Sequence, residues 1–452
     1  MRLALPSPAL RRILTAYTVN RLGSWVGLVA LSLAVFDHTH SALAVAALLL
    51  AWQALPAFLV PAVVARVEVS KRRGTLSGLY FLEAGATAAL AVLLWHFWLP
   101  ALLLLAALDG TAALAANSLL RAEVARVARG QVPSAAGADG RGDSRDEAVH
   151  EAERKANAAL NVAFSISFVT GPVLAGAVVA GAGAPAALFI DVGTFLICGA
   201  LLLDLYPHVE DAGGDSVRAR LRAAWAHINA VPSLRALLLV DAVALILVQA
   251  GSPIEVVYVK STLHGGDSGY GLLVTAWGAG AVLASVVFAG SGRRPLRVML
   301  SAGIFALGAA FVGYAAAPSL ALGCLAAFVG GAGNGLDWPS LISLVQRLTP
   351  KHLHGRMMGA TESLGSLTMA VGLPLGGALV ALSSPRAAFL ILGLATLVIA
   401  AVLVRLTAVG LEPAPEEEPD TGPLDAPPLG APPPSSQAIR ASGLLPHEPS
   451  PE

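Results

Sequence analysis

Thr170-Gly171-Pro172-Val173-Leu174-Ala175-Gly176, running on through Gly181-Ala182-Gly183-Ala184-Pro185 to Ala186-Ala187-Leu188-Phe189, decides how the chain folds. A weaker copy returns about two hundred residues later: Gly372-Leu373-Pro374-Leu375-Gly376-Gly377 stands for the first part and Pro385-Arg386-Ala387-Ala388-Phe389 for the second. Each copy closes one apolar span and opens the next, so the chain is built twice. Paired apolar segments interrupted by Gly and Pro in two halves are the sequence mark of a repeat-built transporter.

Composition agrees with a membrane protein. Of 452 residues 56% are hydrophobic and 13% charged, the mean hydropathy is +0.71, and the few charges cluster between long apolar runs. A formal net charge of zero argues against a nucleic-acid partner, which needs a basic surplus on one face. Cys198 and Cys324, the two cysteines, sit inside apolar runs and read as small core residues. The N-terminus lacks the layout of a cleavable signal, so Met1 is expected to be retained.

Spanning a bilayer takes about 20 apolar residues, and twelve segments qualify, from 11–36 to 386–409. With the N-terminus inside, all Lys and Arg except Arg21, Lys260 and Arg386 fall in or at the edge of inner segments, which sets an orientation with both termini cytoplasmic. The expected organisation is a six-helix bundle over 1–206, a cytoplasmic linker over 207–235, a second six-helix bundle over 236–409 and a disordered tail over 410–452. Within the first bundle, the small, polar, mixed-charge stretch 129–153 is expected to be a disordered inner loop. The linker holds Val217, Leu221, Trp225 and Ile228 on one helical face beside arginines, the pattern of a helix lying on a membrane surface.

Ionisable residues inside spans are functional candidates by default, because a mid-bilayer charge costs at least about 3 kcal/mol. Arg21 lies nine residues beyond Arg12, about 14 Å along a helix, near the middle of a core about 30 Å thick, and Asp109 reaches the same level. Asp109 is the leading proton-exchanging carboxylate; alternatively it forms a structural ion pair with Arg21. Asp241 and Asp337, with Pro339 beside the latter, come second. Asn20, Trp25, Trp277, Trp338 and Asn334 are candidate cavity residues, the tryptophans as stacking surfaces for a planar or amphipathic cargo. Gly278-Ala279-Gly280 and the glycines from Gly330 to Gly335 read as close helix packing rather than phosphate loops. No zinc-ligand spacing and no nucleophile–base pattern appears, so neither enzyme chemistry nor a metal or other cofactor is expected.

Two six-span halves joined by a long inner loop resemble the major facilitator superfamily. Arg21-Leu22-Gly23-Ser24-Trp25, Ala156-Asn157-Ala158 ahead of Gly171-Pro172, Gly269-Tyr270-Gly271-Leu272-Leu273, and Leu348-Thr349-Pro350 followed by Gly355-Arg356-Met357 are similar to its bacterial twelve-span exporters of the macrolide-efflux and enterobactin-exporter kind. The resemblance implies that the first, fourth, seventh and tenth spans line a central cavity. It also casts Gly171, Pro172 and Gly176 as part of an antiporter motif, and Arg66, Arg72 and Arg73 as the basic remnant of a gating loop in which Pro61 and Ala65 replace the family's Gly and Asp. The expectation is an all-α, monomeric, multi-pass protein of a bacterial inner membrane that exports a small amphipathic compound, a drug, antibiotic or siderophore-like metabolite, by proton antiport. Uptake or uncoupled facilitation is the alternative within transport, and a non-transporting sensor or scaffold is the alternative outside it.

Overall fold

The computed structural model describes residues 8–58, 74–130, 142–203, 217–290, 295–350 and 353–410. The described residues form helices and no strand. They are α1 (Pro8–Thr39), α2 (Ala42–Phe58), α3 (Thr75–His96), α4 (Leu99–Gly130), α5 (142–182), α6 (184–201), α7 (Val217–Ala230), α8 (Pro232–Thr262), α9 (Gly266–Gly290), α10 (Leu296–Ala316), α11 (Leu320–Arg347), α12 (His354–Leu382) and α13 (Pro385–Gly410). Residues 1–411 make one compact unit; the second unit, 412–452, lies outside the described residues, as does the expected tail disorder. Arg66, Arg72 and Arg73, and with them the gating-loop remnant, also fall outside.

Ten stretches are long and apolar enough to cross a membrane, which makes this a multi-pass membrane protein. One of them, Glu151–Leu201, holds both α5 and α6. Gly183 breaks it with φ 83°, a left-handed conformation that glycine adopts without a steric penalty. On either side of that break, Gly171 and Asp191 meet the same stretch of α1, so the chain doubles back at Gly183. Helix α2 is shorter, and the expected count of twelve requires it to continue past Phe58, beyond the described residues.

The centre of the expected disordered loop over 129–153, residues 131–141, lies outside the described residues; flanking it, α4 runs to Gly130 and α5 is already helical from Gly142, so helix reaches further into 129–153 than composition suggests. The reason is local charge pairing that composition alone does not reveal. Glu151 pairs with Arg154 and Lys155 at helical spacing, and Arg129 reaches Glu153 at 3.1 Å, tying α4 to α5.

The repeated glycines govern packing. A methyl group added at Gly171 would lie 2.5 Å from Cβ of Trp25 on α1, and one at Gly176 would lie 3.1 Å from Cα of Gly271 on α9. In the copy, a methyl at Gly372 would lie 2.7 Å from Cβ of Gln249 on α8, and one at Gly377 would lie 3.0 Å from Cα of Leu43 on α2. Each copy thus packs its helix against the first helix of its own half and against a helix of the other half. Only glycine permits backbones this close.

Those cross-half contacts gather at one end of the molecule. There a single core takes in Val29, Leu33, Val45, Leu90 and Val179 from the first half with Ile254, Tyr258, Phe311 and Phe389 from the second. At the other end, which carries α7, the cores are separate: Ile13, Tyr17, Leu76, Leu119 and Phe195 in one half, and Leu234, Ile304, Leu341, Met357 and Leu403 in the other. The halves are therefore joined at the end remote from the linker and packed independently at the linker end. A charged latch sits at the joined end, where Lys260 of α8 pairs with Asp37 of α1 and, at 2.7 Å, with Asp267 of α9.

Gly271→Leu should force α9 away from α5 and loosen the joined end. A cysteine at Leu28 should then react faster with a membrane-impermeant maleimide applied from the side opposite α7; labelling as slow as in the Gly271 parent would show that this contact does not hold the end shut.

Candidate functional site

Three local features bring Trp52 over Asp109. Residues Leu50–Ala54 form a π turn within α2, a distortion frequent at functional sites, and it re-aims Trp52 and Gln53. Gly110, next to Asp109 on α4, lets the backbone of α2 approach: a methyl there would lie 2.9 Å from the carbonyl carbon of Trp52. Thr87 of α3 comes in from the other side. As a result Trp52 Nε1 donates to Asp109 Oδ2 at 2.8 Å and Thr87 Oγ1 donates to Asp109 Oδ1 at 2.9 Å.

Two cavities adjoin this pair. The larger, about 350 Å³, is lined by Arg21, Ser24, Trp25 and Leu28 of α1, Trp52, Gln53, Pro56 and Ala57 of α2, Gly110, Ala113, Leu114 and Asn117 of α4, and Ser366 and Met369 of α12. It lies between the halves, since α12 belongs to the second. Behind it, Asp109 and Asp191 line a pocket of about 10 Å³, roughly one water's space. Leu28 and Trp52 border both, and Trp52 is the residue that joins the cavity to the carboxylate by a hydrogen bond.

Asp191 of α6 is seated on α1 at Gly23 and Gly27, where any side chain would strike its carboxylate, and it accepts from Thr194 Oγ1 at 3.0 Å. Glu83 of α3 is fully buried, and neither carboxyl oxygen has a hydrogen-bond partner. The expected meeting of Arg21 with Asp109 does not occur. Both oxygens of Asp109 are taken by Trp52 and Thr87, while Arg21 lines the cavity with its Cζ 5.9 Å from the Tyr17 ring centre and its Nε without an acceptor. Equal depth set the level of the two groups but not the rotation of their helices, and the two side chains leave on different bearings.

In the second half, Asp241 of α8 and Asp337 of α11 are buried and near enough for one to feel the other's charge. Neither oxygen of Asp241 has a partner, nor has Oδ1 of Asp337. Among the expected cavity residues, Trp25 lines the larger cavity and packs against Phe168 with the rings tilted by 33° and their centres 4.7 Å apart. The others are elsewhere. Asn20 is buried in α1, Trp277 packs on Gly330 and Gly331, Trp338 is exposed, and Asn334 is not part of the lining. The glycine bands that receive Trp277 explain its displacement, because they draw α9 and α11 together and use its ring as filling. Gly355 and Arg356 stand in the first turn of α12, away from the cavity lining.

The candidates drawn from the sequence do not include Glu83, Asp191 or Thr87. The Gly23, Gly27 spacing of four was a usable signal for Asp191, since it cuts a notch in one face of α1. Burying an ionised carboxylate without full compensation costs several kcal/mol, so proton gain and loss at these groups is tied to how the surrounding helices pack.

Since Arg21 and Asp109 share no contact, Arg21→Gln and Asp109→Asn should shift the melting temperature additively, within about 0.5 kcal/mol of coupling. Recovery of stability in the double variant would show an ion pair instead. Thr87→Val should cost roughly 1 kcal/mol by removing one donor to Asp109.

Comparison with known proteins bears on what this arrangement does. The family model for the Major Facilitator Superfamily matches residues 242–445. "Multidrug efflux pump Tap" of Mycolicibacterium fortuitum is 28% identical over 250 residues, 53% of this chain and 60% of that protein. "Uncharacterized MFS-type transporter YfiS" of Bacillus subtilis (strain 168) is 26% identical over 243 residues, 50% of this chain and 57% of that protein. The chain thus spans less than two thirds of the length of these curated relatives. Among solved structures, the nucleoside transporter NupG superposes with a TM-score of 0.68 at 13% identity, covering 89% of this chain and 100% of NupG. A bacterial homologue of the iron transporter ferroportin in its inward-facing state gives 0.67 at 16% identity, covering 88% and 98%.

Proposed function

We propose that the chain, whose residues 242–445 match the Major Facilitator Superfamily model, is a transporter of that kind that exports a small amphipathic compound in exchange for protons, its halves rocking about the cavity between them. The observation that carries this reading is Trp52, whose ring borders the cavity while its N–H holds Asp109. Cargo against Trp52 and a proton on Asp109 therefore act on one side chain, which is what coupling requires: each ligand must favour one arrangement of the halves over the other.

The lining also narrows the cargo. Among the described residues that border the cavity, Arg21 is the one with a charged side chain, set among Trp25, Leu28, Trp52, Met369 and the polar Ser24, Gln53, Asn117 and Ser366. A neutral or anionic amphiphile with an aromatic or alicyclic body fits this mixture, and about 350 Å³ lies within the usual range for small-molecule sites. Separate cores at the linker end and a shared core at the other correspond to a state open toward the linker, the cytoplasmic side in the positive-inside orientation. The named activity of Tap supports efflux over uptake.

The test uses the purified protein in liposomes with an imposed pH gradient and a panel of amphipathic fluorescent compounds. Gradient-driven movement against the concentration gradient is expected, with Asp109→Asn abolishing uphill transport yet retaining downhill exchange. Trp52→Phe should keep the aromatic face but lower the coupling of flux to the gradient several-fold. Uphill transport by Asp109→Asn at the parental rate would remove Asp109 from the proton path, and movement only down the gradient would establish the uncoupled reading.

A further inference from the structure

A second large cavity, about 730 Å³, lies outside the site described above, where α7 meets α8 and α12. Its surface is mainly apolar, with Ile228, Leu238, Ala242 and Leu364 beside the polar Thr361 and Ser363, and its lining takes in Arg222 of α7 and Arg235 of α8, whose exposure marks the open side, or mouth. Helix α7 is fixed in place by burial of Ala224 and Ile228 and by the contact of His227 Nε2 with the carbonyl of Leu348 at 3.1 Å. Trp225 stands beside the mouth, 66% exposed.

We propose that this cleft binds one anionic phospholipid, with an acyl chain between α8 and α12 and the phosphate between Arg222 and Arg235. Charge complementarity supplies the occupant. Both guanidinium groups are exposed, and no ion pair or hydrogen bond to either is found among the described residues, so the mouth offers uncompensated positive charge directly above an apolar slot. A soluble anion would leave the slot empty, and a zwitterionic lipid would leave the arginines unneutralised; a phosphodiester carrying net negative charge on a hydrocarbon chain satisfies both. The position suits it, because α7 lies at the ends of the spans, where basic pockets between helices hold anionic headgroups and where tryptophan settles at the bilayer interface. Since α7 joins the two halves and α12 lines the transport cavity, a lipid wedged between them would brace the second half at the linker end.

The full-length protein, extracted in a mild detergent and analysed by native mass spectrometry, is titrated with dioleoyl phosphatidylglycerol and, in parallel, dioleoyl phosphatidylcholine. A retained phosphatidylglycerol adduct is expected, at least tenfold tighter than phosphatidylcholine. Its affinity should fall at least tenfold in the Arg222→Ala, Arg235→Ala double variant, whose exposed substitutions should leave the melting temperature of the lipid-free protein unchanged. Ala242→Trp, which fills the slot and leaves both arginines, should weaken the adduct comparably. Equal retention of the two lipids, or an adduct unaffected by the arginine substitutions, would overturn the proposal. So would loss caused by the arginine substitutions but not by Ala242→Trp, since that would indicate a headgroup bound with no chain in the cleft.

Discussion

Close backbone approach at a handful of glycines is the constraint on which this structure rests. Helices in a bilayer gain little from hydrophobic sorting, because lipid tails are as apolar as leucine, and must hold together by contact area. Gly176 against Gly271 and Gly377 against Leu43 bring the two halves within backbone distance at one end, and the shared core of that end forms around them. Lys260, set between Asp37 and Asp267, adds a charged latch there. Among the described residues each half keeps its own core at the linker end, and the cavity is lined by both halves. A joint of this kind favours rigid-body rocking, because packed cores resist gradual deformation and switch between discrete arrangements.

Much of the architecture was legible in the sequence. The repeated Gly-Pro strings marked two halves, and each string proved to be a packing surface, one face toward its own half and one toward the other. The break between the fifth and sixth spans was readable because Gly183 supplies a conformation few other residues adopt. What escaped the reading depends on partners distant in sequence. That Trp52 and Thr87, not Arg21, hold Asp109 follows from the rotation of three helices and from a π turn that no composition signal announces. The helical start of α5 was missed for a different reason: small polar residues lowered the apparent order of a segment that pairs its charges along a helix.

Five buried acids of different standing emerge. Asp109 is fully engaged and touches the cavity through Trp52; Asp191 is seated in a notch of α1 and shares the small inner pocket; Glu83 is buried with no hydrogen-bond partner among the described residues; Asp241 and Asp337 form a separate pair in the second half. In the proposed cycle the first three form a graded set behind one tryptophan: Asp109 and Asp191 are held by hydrogen bonds, while Glu83 is buried at a cost to stability. Arg21 lines the cavity and is near enough for Glu83 to feel its charge.

The central claim is that the halves rock about the cavity in response to protonation. It is tested most directly by pulsed electron paramagnetic resonance on the full-length protein in nanodiscs, with one spin-label pair spanning the halves at the linker end, on residues 14 and 344, and one at the joined end, on residues 38 and 263, which leaves the Lys260–Asp37 pair intact. Lowering pH should shift the two distance distributions in opposite directions, and Asp109→Asn should hold the protein in the low-pH distribution at every pH. Distances that stay fixed across the titration, or that move together at both ends, would contradict the account.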